Sequence, residues 1–143
     1  MPPILVMHLK RFSYSRTWRN KIDTLVDFPL DGLDLSPYVL PNTSSRGGPE
    51  PVYDLCAVVN HFGGMGGGHY TAYTLHAEEG TWHLYDDSHC SPVDSSDALH
   101  TSAAYVLFYK RRDIPKRQAM SRAGSLCKIA GMDISEHKKM DCD

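Results

Sequence analysis

Apolar and polar positions alternate along this chain in short stretches rather than in long helical faces. From Pro3 to Phe12 (PILVMHLKRF) an apolar run emerges into Lys10-Arg11. After polar residues around Ser13 to Asn20, a second run, Ile22 to Leu30, is cut by Pro29, which removes a ladder donor and argues against a central strand. Asp31 to Leu40 reads as a short turn-rich connection, and 41–51 (PNTSSRGGPEP) as a Pro/Gly/Ser loop without periodicity. Beyond it, segments rich in β-branched and aromatic residues predict strands at 53–60, 69–76, 81–86 and 104–110. The polar stretch from Ser88 to Ser102 reads as a connection with one helical turn at Ser95 to Leu99. Residues 113–143 hold six basic and five acidic groups and few large apolar side chains, which predicts a disordered or loosely helical extension to a domain spanning 2–112.

Two of these strands form a hairpin whose register can be read. HYTAYTLH (69–76) and TWHLYD (81–86) flank Ala77-Glu78-Glu79-Gly80, a polar turn ending in glycine. With Glu78 and Glu79 central, Ala77 faces Gly80 and Thr71 faces Asp86. His69 lies two residues from Thr71 on the same face, so His69 and Asp86 become diagonal neighbours, with Cα atoms roughly 7–8 Å apart. A slip of one residue would put them on opposite faces.

That juxtaposition carries the chemistry. The glycine-rich run Gly63-Gly64-Met65-Gly66-Gly67-Gly68 leads into His69, and Asp86-Asp87 closes the hairpin. A flexible loop, an imidazole at the start of one strand and an acid at the end of its neighbour supply two thirds of a nucleophile, base and orienter triad. Adjacent strand residues face opposite ways, so at most one of Asp86 and Asp87 orients His69 directly. The bland readings are an ordinary strand histidine, a plain connection and a pair of capping acids. Glycine this dense is costly to order, and it suits a loop that must flex or admit another backbone.

Four stretches together resemble one family. Ile4 to Phe12 (ILVMHLKRF), Tyr53 to Tyr73 (YDLCAVVNHFGGMGGGHYTAY), Trp82 to Ser88 (WHLYDDS) and Ala103 to Tyr109 (AAYVLFY) are similar, in order, to the C-terminal half of a ubiquitin-specific protease catalytic domain. The resemblance implies an α+β fold, the palm half of a papain-like cysteine protease, mainly antiparallel sheet with few short helices. It implies a thiol-dependent deubiquitinase with His69 as catalytic histidine, Asp86 as its orienter and Asp87 as a second polar position. Gly63, Gly64, Met65, Gly66, Gly67 and Gly68 match the family's blocking loop, and these residues with Tyr70 are the expected substrate contacts. Replacing Gly67 and Gly68 with valine is expected to impair turnover and spare the fold.

The departures are as informative. The family's nucleophile sits in a box containing Asn and Gly that ends in Cys-Tyr or a similar pair, and no such box occurs here; paired Cys-X-X-Cys zinc motifs are also absent. Cys56, Cys90, Cys127 and Cys142 have no metal-ligand spacing and read as free thiols of an intracellular protein, cytoplasmic or nuclear. The expectation is a truncated chain that carries the palm, lacks the helical thumb and is inactive alone. A ubiquitin-binding pseudo-enzyme and a generic antiparallel β scaffold are the alternatives.

Length and charge narrow the partners. At 143 residues, 41% hydrophobic, the chain is about one domain long. A net charge of −2 and a pI near 6.4 favour neither nucleic acid nor an anionic membrane. No apolar run approaches the roughly 20 residues of a membrane-spanning helix. Ubiquitin and ubiquitinated proteins are the expected partners, with no cofactor or metal. Histidines His8, His61, His76, His83, His89, His100 and His137 show no ligand pairing, and Phe12, Phe28, Trp82, Tyr105 and Phe108 read as core.

Overall fold

The structure is a computed structural model that describes residues 1–17, 19–40, 51–64 and 66–113. The extension expected at 113–143 lies outside the described residues apart from Asp113, as do residues 41–50 of the Pro/Gly/Ser loop and Met65 of the glycine run. Among the described residues nine strands follow in chain order: β1 (Ile4–His8), β2 (Phe12–Tyr14), β3 (Arg19–Lys21), β4 (Leu33–Asp34), β5 (Val52–Gly64), β6 (Gly67–Leu75), β7 (Trp82–Asp86), β8 (His89–Val93) and β9 (Ala104–Arg111). Short 3₁₀ turns at Ser36–Tyr38 and Ser96–Leu99 are the described helical elements. The second agrees with the helical turn expected at 95–99, and Ser95 caps it by accepting from the Asp97 amide.

Seven strands form one antiparallel sheet in the order β1, β9, β5, β6, β7, β8, with β4 paired to the start of β5; β2 and β3 make a separate ribbon. The order places the first and last strands side by side, so the two chain ends of the sheet are stitched along Ile4 to Lys110. One face carries the core: Tyr53, Leu55 and Val58 of β5, Ala104, Leu107 and Tyr109 of β9, and Phe28 laid across them. Leu30, Leu33 and Leu35 pack on the same cluster from the connection before β5. The Ile22 to Leu30 run is therefore not a strand: it crosses the sheet, spending Phe28 and Leu30 on the core while Ile22 and Leu25 stay exposed. Each buried Leu or Phe contributes about 1.5–3 kcal/mol relative to exposure.

The buried tyrosine hydroxyls of this core find partners. The Tyr53 hydroxyl donates to the Pro2 carbonyl and that of Tyr109 to Pro29, each at 2.8 Å. Burial pushes the Tyr109 phenol up to about 12, so it remains a donor. Arg11, only 3% exposed, binds the Ala104, Ile22 and Thr24 carbonyls and so ties β9 to the crossing segment.

Two strand expectations need correction. The stretch after Ser88 is not a plain connection, because His89–Val93 pairs with β7 as the outer strand, which carries Pro92 where no inner ladder needs its missing N–H. Cys90 thus sits on a strand. β5 runs four residues past its expected end, because its ladder with β6 continues into the glycines. Two bulges interrupt the β5 and β9 ladder, setting Cys56 and Tyr105 outside the regular pairing.

Candidate active site

The hairpin of β6 and β7 holds the register expected for it. Ala72 pairs with Tyr85 and Leu75 with Trp82, and one further step in the same register brings Asp86 opposite Thr71. At the turn, His76 donates to the Thr81 carbonyl and accepts at its own carbonyl from Gly80, whose φ of +73° takes up the bend. Glycine adopts that left-handed backbone without steric cost, so the irregularity ends at residue 80 and never reaches the strands.

His69 and Asp86 meet as that register requires. The His69 Nε2 faces Asp86 Oδ1 at 2.5 Å, with both side chains half-exposed. In the neutral tautomer that pairs them, Nε2–H donates to the carboxylate and Nδ1 keeps its lone pair for a proton from elsewhere. The arrangement is an imidazole oriented by an acid and open on its other nitrogen.

Asp87 is placed differently from the expectation for a strand residue. The ladder pairs Asp86 with His89, leaving Asp87 and Ser88 as a two-residue turn in which Asp87 has a φ of +50°. Aspartate is among the few side chains at ease there. Alternation therefore stops at Asp86, and donor atoms of His69, Asp86 and Asp87 all lie within 4.8 Å of one another. That closeness would suit a divalent cation as well as an acid and base pair.

The glycine run is a hairpin tip rather than an open loop. Gly63 pairs with Gly68 and Gly64 with Gly67. Gly63 has a φ of +91°, and a Cβ there would stand 2.8 Å from the Gly67 carbonyl oxygen. A Cβ at Gly68 would lie 2.3 Å from Nε2 of His61 and 2.6 Å from the Phe62 carbonyl oxygen, whereas Gly64, Gly66 and Gly67 face open space. The expectation that valine at 67 and 68 spares the fold therefore fails at 68, where backbone and ring already occupy the space.

Beside this tip lies a cavity of about 360 Å³ lined by Phe12, His61, Gly64, Gly67, Gly68, Tyr70 and Tyr105. His61 is buried, its ring centroid 4.8 Å from Tyr70, 5.4 Å from Phe12 and 5.7 Å from Tyr105. Burial, and then the Lys21 ammonium, hold its pKa below the ordinary histidine value; Lys21 donates to the His61 carbonyl at 2.6 Å. His61, Phe12 and Tyr105 were not legible as site residues, and two of them read as core. The available signal was pairing across the hairpin, since His61 stands directly opposite Tyr70. The Tyr105 bulge, which sets that ring toward the cavity side, left no mark in the sequence.

Neither described cysteine reaches the imidazole. Cys56 lies six residues along β5 from Phe62, the partner of His69, which at about 3.3 Å per residue is roughly 20 Å away. Burial raises its pKa, and its thiol donates to the Phe108 carbonyl. Cys90 pairs with Tyr85, so it faces away from Asp86. Cys127 and Cys142 lie outside the described residues.

The chain is similar to known proteins both in sequence and in fold. Residues 1–109 match the family model described as ubiquitin carboxyl-terminal hydrolase. The chain is 53% identical over 127 residues to ubiquitin carboxyl-terminal hydrolase 4 of Pongo abelii, covering 87% of this chain and 13% of that protein. It is 54% identical over 113 residues to ubiquitin carboxyl-terminal hydrolase 15 of Homo sapiens, covering 79% and 11%. Among solved structures, the Ubp8 SAGA DUB module bound to ubiquitin aldehyde superimposes with a TM-score of 0.67 at 30% identity, over 80% of this chain and 26% of that one. The sheet is thus similar to part of the ubiquitin-specific protease catalytic domain, and the chain spans about an eighth of these curated relatives and a quarter of the solved chain.

Proposed function

Because the chain belongs to the ubiquitin carboxyl-terminal hydrolase family, we propose that it is the C-terminal, palm part of a deubiquitinating cysteine protease, with His69 as base and Asp86 as its orienter. The observation that carries this reading is the 2.5 Å contact between His69 Nε2 and Asp86, formed at the foot of the glycine hairpin. A thiol protease needs such a pair, and a relative of this fold is bound to ubiquitin aldehyde.

In the proposed reaction, His69 Nδ1 takes the proton of a cysteine thiol while Asp86 stabilises the imidazolium through Nε2–H. The thiolate attacks the carbonyl carbon of the last glycine of the ubiquitin tail, whose bond to the amine nitrogen then breaks. His69 then returns the proton to the departing amine, leaving a thioester. Water, deprotonated by the same Nδ1, hydrolyses it and releases the thiol. Gly63 to Gly68 and Tyr70 are the proposed contacts for the tail, with the aromatic-lined cavity beside them as the space for an apolar side chain.

The positions of Cys56 and Cys90 support a nucleophile supplied by a segment of the parent domain outside this sequence, with the chain alone inactive. A ubiquitin-binding fragment without catalysis is the second reading, favoured by the same two positions. The test is a ubiquitin probe with a thiol-reactive C-terminus, followed by mapping of adducts by mass spectrometry. The 143-residue chain should remain unlabelled, and joining the family's cysteine-bearing segment should produce one adduct on the added cysteine that depends on His69. An adduct of the chain alone on a native cysteine, dependent on His69, overturns the assignment of the nucleophile. Failure of the joined protein to label favours the second reading.

A further inference from the structure

His61 and Gly68 are diagonal neighbours on one face of the hairpin formed by β5 and β6, since His61 pairs with Tyr70. The imidazole of His61 fills the space where a side chain at 68 would stand, as the 2.3 Å from its Nε2 to an added Cβ records. That ring is itself held on several sides. Tyr70 lies against it, Phe12 meets it edge-on, Tyr105 tilts over it, and the Lys21 ammonium fixes its carbonyl. The next residue after Gly68 is His69.

We propose that His61 is a positioning residue, whose wedged ring sets the place of Gly68 and through that peptide the place of the His69 imidazole. The inference rests on the reading of His69 and Asp86 as base and orienter. Asp86 fixes only one nitrogen of the His69 ring; the direction of Nδ1 also depends on where the backbone at 68 and 69 lies. A wall one peptide away, packed from several sides, supplies that second constraint. His61 also carries an unmet requirement, because its buried Nδ1 has no hydrogen-bond partner. A hydrocarbon side chain would fill a core position without that penalty, so an imidazole here is better explained by its shape beside Gly68 than by filling alone.

The test reads the proton that His69 shares with Asp86, in the ¹⁵N-labelled 143-residue chain, and needs no nucleophile. Nuclear magnetic resonance of the unaltered chain should show a downfield Nε2–H on His69, abolished in Asp86→Ala. In His61→Ala that resonance should be lost or broadened by exchange, although amide shifts of β7 and β9 and cooperative unfolding persist. Leu107→Ala, which cuts the remote core, should lower the unfolding temperature and keep the resonance. Gly68→Ala approaches the same contact from the other side and should also lose the resonance, and it serves if His61→Ala does not fold. Persistence of the signal in a folded His61→Ala or Gly68→Ala chain overturns the positioning role alone. Its absence from the unaltered chain overturns the base and orienter reading, and this inference with it.

Discussion

Asp86 and Asp87 are neighbours in sequence held in different conformations, and the difference comes from where the strand ends. Asp86 closes the ladder and bonds Nε2 of His69; Asp87 lies in the left-handed turn beyond it. In an enzyme completed with its nucleophile, Asp86→Ala should reduce kcat by about 10²–10⁴-fold, the range of general acid and base contributions, with a smaller loss for Asp87→Ala. A fluorogenic ubiquitin C-terminal substrate measures both, and equal losses would refute the distinction. His61 gives a second residue-scale expectation. Its folded pKa is depressed from 6.5 by burial and by Lys21, so its stability contribution is whole above that value. As pH falls through it, the unfolded chain takes up the proton first and that contribution erodes toward the lower folded pKa. The unfolding midpoint should therefore drop between about pH 7.5 and about pH 5.5, and drop less in His61→Gln, as followed by circular dichroism.

At the scale of elements, the five glycines of the run separate into two kinds. Gly68→Ala forces a methyl group against the His61 ring and the Phe62 carbonyl and should destabilise by about 1–3 kcal/mol, the usual cost of overpacking. Gly63→Ala meets both the Gly67 carbonyl and a left-handed backbone, with a similar penalty. Gly64→Ala and Gly67→Ala enter open space and should stay within about 0.5 kcal/mol in urea titrations. The hairpin of β6 and β7 was readable because alternation, a four-residue turn and one glycine fix its register together. So was the meeting of His69 and Asp86, which follows from that register alone. The extent of the glycine hairpin was not, since glycine carries no side-chain pattern and is equally at home in an open loop. β8 was missed because its residues, His-Cys-Ser-Pro-Val, lack the composition of an inner strand. The Tyr105 bulge depends on pairing between strands distant in sequence, which periodicity within one strand cannot report.

For the whole molecule, the two rims of the large sheet are unlike. β1 borders it with Ile4, Val6 and Met7 exposed, Val6 at 53%, and β8 borders it with Pro92 next to its last residue. An apolar outer strand without proline or charge invites another chain to pair with it. Sedimentation velocity should show association that rises with concentration, and Val6→Lys should suppress it while leaving the circular dichroism spectrum unchanged. Pro92 settles how far such assembly can proceed. A unit with a joining edge on both sides polymerises, whereas one with a single joining edge has a valence of one. Once two copies have met along β1, each presents only a rim that lacks a donor, and growth terminates. The product should be a closed pair rather than a fibre, and Pro92→Thr, by restoring the donor, should turn chain termination into propagation.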